Sequence, residues 1–189
     1  MSTTKVLAEI TQAFQDEPHP GELDIVYDNS DYQLEYRQIR DSFALYTWQT
    51  MPDDLLFYER SAPSFLSTAG LRYYLPAFMQ FAVRDYSASD TLPDSLVYDM
   101  TLPAELDVTD QLLLRQRFAP APGQPAGYPG NVRAPSFWVY RFVERYGQFN
   151  RAQSRAILHF LEHLRDEHGQ DYLHGEPAVA IERYWFQFA

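Results

Sequence analysis

A chain of 189 residues, 46% hydrophobic and 22% charged, holds enough apolar material for a continuous core and is far from a disordered composition. Its formal net charge of −11 argues against binding nucleic acid or anionic lipid, since both need a basic face. Cysteine is absent, which excludes disulfides and thiolate metal sites.

Read in chain order, Val6, Leu7, Ile10 and Phe14 recur at helical spacing and predict a first helix over residues 3–14. Pro18, Pro20 and Gly21 end it. Residues 16–31 then carry six acids (Asp16, Glu17, Glu22, Asp24, Asp28 and Asp31) and no Lys or Arg. Residues 23–27 read as a short strand or an extended loop, and a second helix is expected over 32–43. Pro52, Asp53 and Asp54 mark a helix start, with proline in the first turn and carboxylates against the positive helix end. The clearest element is a long helix over 67–85. Leu71, Tyr74, Leu75, Phe78, Met79 and Ala82 share one broad arc, opposed only by Tyr73, Gln80 and Arg84, so this helix belongs at the centre of the core. Pro76 within it should bend the helix.

Shorter helices are expected near 93–100 and 109–118. Five Pro and three Gly between 119 and 135 exclude any regular element there and mark a long loop or an insertion. The aromatic stretch 137–146 is apolar around nearly its whole circumference, which suits core packing on one face and an interface on another. Asn150 and Gln153 form a capping box for a helix that runs through Ile157, Phe160, Leu161 and Leu164 to Gly169, placed for the C′ role. A last helix starts at Pro177, with Ala178, Ile181, Tyr184, Trp185 and Phe188 on one face.

Three of these segments carry a resemblance. Residues 72–77 (Arg-Tyr-Tyr-Leu-Pro-Ala), 153–161 (Gln-Ser-Arg-Ala-Ile-Leu-His-Phe-Leu) and 182–185 (Glu-Arg-Tyr-Trp) resemble an uncharacterised bacterial family of small helical proteins. Its members pair a central Tyr-Leu-Pro-Ala helix with a C-terminal Gln-x-x-Ala-Ile-x-x-Phe-Leu helix and a closing Tyr-Trp. The resemblance spans residues 14–185, with 119–145 departing from the pattern. It implies a shared fold and brings no activity or catalytic residue with it.

Among candidate chemistries, His159-Phe-Leu-Glu-His163 matches H-x-x-E-H, the inverted zinc-protease signature. Two imidazoles four apart can share a metal, Glu162 could activate its water, and His168 and His174 lie nearby as further ligands. Against it, His159 and Glu162 fall about 150° from the centre of the apolar stripe, on the expected outer face. The pairs Arg141/Arg145 and Arg151/Arg155 suit an anion, but Glu144, Glu162, Asp166 and Glu167 offer ordinary partners. No Gly-rich phosphate loop, nucleophile elbow or calcium loop is present.

Charge completes the picture. Residues 1–118 hold 8 basic against 19 acidic side chains, residues 119–189 hold 7 of each, and the whole excess therefore sits in the first part. No apolar run approaches the roughly 20 residues that cross a bilayer, and the first residues lack signal-peptide features, so the cytoplasm is the expected location. The expected fold is all-α, a single helical domain over 1–189 with about seven helices and one Pro/Gly-rich loop. The expected function is a non-enzymatic interaction domain that binds a basic protein partner through Asp16, Glu17, Glu22, Asp24, Asp28 and Asp31, with help from Asp53, Asp54 and Glu59; an immunity protein or antitoxin is one concrete version. No cofactor, nucleic acid or membrane partner is expected. The alternatives are a small metal-dependent hydrolase using His159, Glu162 and His163, and a self-associating structural subunit. Oligomeric state stays open.

Overall fold

The computed structural model describes residues 1–30, 32–104 and 135–189. Among the described residues the regular elements are eight α-helices: α1 (Thr3–Phe14), α2 (Leu34–Phe43), α3 (Asp53–Tyr58), α4 (Thr68–Arg84), α5 (Leu92–Asp99), α6 (Pro135–Tyr146), α7 (Arg151–His168) and α8 (Glu176–Arg183). Four short 3-10 turns accompany them, and the fold is all-α as expected. The expected helix at 109–118, and the Pro/Gly-rich stretch up to residue 134, lie outside the described residues.

Two compact units are present: Met1–Thr101 together with Phe149–Ala189, and Leu102–Gln148. In the first, α1 packs on both α4 and α7, α3 and α5 pack on α4, and α8 packs on α7 and α5. Helix α4 is its centre. Ser67 caps the helix by accepting the Gly70 amide at 2.9 Å, and twelve of the 17 helical residues are buried. Tyr73, expected on the polar side, is among the twelve, its ring edge-on to His19 and Tyr74. Neighbours surround α4 on more sides than its hydrophobic arc alone requires, and a phenol buries its ring while its hydroxyl finds a partner. Pro76 sits inside α4 without ending it.

The capping box at α7 forms on both sides: the Gln153 amide donates to Asn150 Oδ1 at 2.9 Å, and the Asn150 amide donates to Gln153 Oε1 at 3.1 Å. At the other end α7 does stop before Gly169, yet Gly169 keeps right-handed dihedrals (φ −56°, ψ −25°) and leads into a 3-10 turn over Gly169–Asp171. The left-handed stop expected there is not used.

Helix α8 also departs from its expected register. It ends at Arg183, Tyr184 takes φ −146° and ψ −47°, and a 3-10 turn Trp185–Phe188 follows. The inward positions of α8 are therefore Pro177 and Ala180, while Ile181 is only half-buried and Ala178 is exposed. Trp185 reaches the core from the turn instead, fully buried, its Nε1 donating to the Met100 carbonyl at 2.8 Å. A single 3.6-residue stripe through Ala178, Ile181 and Trp185 misassigns the first two, since α8 itself turns Pro177 and Ala180 inward, and Trp185 is buried from the separate turn that follows.

The second unit contains α6. Phe142, Arg145 and Tyr146 are buried, whereas Trp138, Val139, Tyr140 and Val143 are exposed.

Leu75, Phe78, Met79, Phe160 and Leu161 are all fully buried. Replacing Leu75 or Phe78 by Ala is expected to lower unfolding stability by about 2–5 kcal/mol, measured by denaturant titration. Near-wild-type midpoints for both variants would place the core elsewhere.

Candidate functional site

The acidic segment is held by the N-terminal turn of α4. Its residues Glu22–Asp24 form a 3-10 turn, and Val26 then makes an isolated antiparallel bridge with Leu66. The Ser67 amide donates to the Ile25 carbonyl at 3.0 Å, the Tyr27 amide donates to the Phe65 carbonyl at 3.2 Å, and the Ser67 hydroxyl donates to the Asp24 carbonyl. Tyr27 and Thr68 share a hydroxyl hydrogen bond at 3.0 Å. Ile25 and Val26 are buried beneath this seam. The approach is close enough to require glycine, since a Cβ on Gly70 would lie 2.0 Å from the Ile25 carbonyl oxygen. Residues 22–28 are thus neither a regular strand nor a loose loop.

The six carboxylates do not share one fate. Asp16, Glu22 and Asp24 are exposed, and Asp28 is partly exposed. The Ser30 backbone amide, donating at 2.8 Å, and the Ser30 hydroxyl hold Asp28 below the usual carboxylate range. Asp31 lies outside the described residues. Glu17 is different: its side chain is only 9% exposed. Oε1 accepts from Arg72 Nε of α4, and Oε2 accepts from Gln153 Nε2 of α7 at 2.7 Å. This carboxylate ties the end of α1 to two other helices. Nothing in its local sequence distinguished it from its neighbours, because both partners come from far along the chain. Of the acids further on, Asp53 pairs with Arg84, and Glu59 is buried and accepts from Gln38 Nε2 at 2.6 Å.

Between the exposed acids stand apolar side chains. Leu23 is 70% exposed and Tyr27 is 41% exposed. Arg40 of α2 is the nearby base: it reaches Asn29 Oδ1 at 3.4 Å and is bound by Asp41 at 2.8 Å.

The histidine helix is placed otherwise than expected. His159 does not face open solvent, because α1 packs there and Glu9 Oε2 engages His159 Nδ1. Glu162 is half-buried. His163 is 2% exposed, its Nδ1 3.3 Å from the Met1 carbonyl. The cause is simple: α7 buries Gln153, Ser154 and His163 besides its strong hydrophobes, so its covered surface is wider than the stripe of Ile157, Phe160, Leu161 and Leu164. Among the described residues, no group of three or more His, Asp or Glu side chains converges as a metal site. Arg151 and Arg155 are exposed on α7, and Arg145 is buried.

Folding also assembles a set of titratable groups with no signature in the sequence. The His168 ring stacks on Tyr86 at 3.6 Å and 3°, and its Nδ1 lies 3.9 Å from Asp171. Tyr172 is buried beside Tyr86, and burial lifts both phenols above their ordinary range. Asp94 is raised by burial and by Glu176, Asp171 and Asp90. His168 is lowered by burial and by His163, whose ring lies 6.2 Å away.

The fold and the surface define an acidic, all-α protein with a clamped carboxylate segment. Its residues 2–117 match the model of the Family of unknown function (DUF6714), and the chain belongs to that family. Helices α7 and α8 lie beyond the matched residues, although α7 packs on α1 and α4 within them. No curated protein and no solved structure matches the chain.

Two outcomes follow from these charges. Glu17→Ala strands Arg72 and Gln153 and is expected to cost about 2 kcal/mol by denaturant titration, below the full penalty for breaking a buried pair because Arg72 is partly solvated. For His168, native burial favours the neutral ring, so the unfolded chain binds more protons just below the ordinary imidazole range. Stability is therefore lost as pH falls from about 6.5 toward the depressed native value. His168→Phe keeps a ring against Tyr86 without titrating, and its melting temperature should fall less than wild type between about pH 7.5 and pH 5.

Proposed function

We propose that this protein is a non-enzymatic interaction module whose acids at 16, 22, 24, 28 and 31 bind a basic protein partner, as an immunity protein or antitoxin would, in the cytoplasm. One observation carries the reading: the acidic stretch, free of Lys and Arg, is clamped to the rigid first turn of α4 by Ser67 and Gly70, with Leu23 and Tyr27 exposed among its carboxylates. Solubility alone asks only for scattered acids. A backbone fixed on a core helix holds like charges and apolar anchors in one arrangement, which lowers the ordering cost of association. Apolar side chains ringed by complementary charge supply the contact, and the charges supply steering and partner choice. Glu17 has no part in this surface, being occupied within the fold.

The experiment is capture from the native host, followed by binding kinetics at two salt concentrations. Association should slow as salt rises, because exposed charges are screened beyond about 8 Å at physiological ionic strength. Converting Asp24, Asp28 and Asp31 to Asn should lower the association rate by about tenfold at low salt and change dissociation far less. A partner that binds equally fast in both salts and ignores the triple variant would refute the proposal.

A further inference from the structure

We draw no further inference here: the strongest candidate, the side-chain cluster of Tyr86, Asp94, His168, Asp171 and Tyr172 around the start of α5 and the 3-10 turn after α7, carries nothing, because its buried Tyr172 hydroxyl is enclosed beside Tyr86 and nothing else in the structure shows what its carboxylates would hold.

Discussion

Helix α4 must be kept from water on nearly every side, and much of the first unit is arranged to do so. Twelve buried residues on one 17-residue helix leave little polar surface to face solvent. Withdrawing that apolar surface from water is the main favourable contribution to folding in a domain of this size. Helices α1, α3, α5 and α7 each take a share of it. The first turn is left to the chain around Ile25 and Val26, whose backbone comes so close that only glycine fits at position 70. A surface segment full of carboxylates is thereby drawn onto the core by its two buried hydrophobes.

Polar ties then set the geometry that hydrophobic contact leaves loose. Glu17 is the clearest of them, a nearly buried carboxylate answered by a guanidinium from α4 and a side-chain amide from α7. A charge in that position is tolerated only with both oxygens satisfied, so it fixes how three helices meet. Gln153 serves twice, capping its own helix through Oε1 and holding Glu17 through Nε2. His19 and Tyr74 do the corresponding work a few residues on, where the chain leaves α1 for the acidic segment.

The same folding sorts the acids into two populations. Glu17, Glu59 and Asp53 are neutralised or enclosed by groups from other elements, and Asp16, Glu22 and Asp24 face water. Perturbed ionisation gathers elsewhere, around Tyr86, His168, Tyr172 and Asp94, with burial as the first cause in each case. Such shifts accompany packing as readily as chemistry. The surface that distinguishes this protein is instead the clamped one, where charge and apolar side chains are displayed together on a fixed backbone.

Local pattern was enough for the helices whose signals lie within a few residues. The spacing of Val6, Ile10 and Phe14 marks α1, the reciprocal Asn150–Gln153 bonds mark the start of α7, and the apolar arc of α4 announces its place at the centre. These depend on hydrogen bonds and periodicities spanning one or two turns, which can be counted along the chain. What tertiary structure alone decided is every pairing between distant residues. Glu17 looked like one more surface acid until Arg72 and Gln153, 55 and 136 positions away, closed on it. His159 looked solvated until α1 brought Glu9 to it across 150 positions. Ile181 is only half-buried because α8 turns Pro177 and Ala180 inward, and Trp185 reaches the core from a separate 3-10 turn after the break at Tyr184. A side chain's burial and charge depend on what packs against it, and that neighbour is chosen by the whole chain's search for a core rather than by the residues beside it.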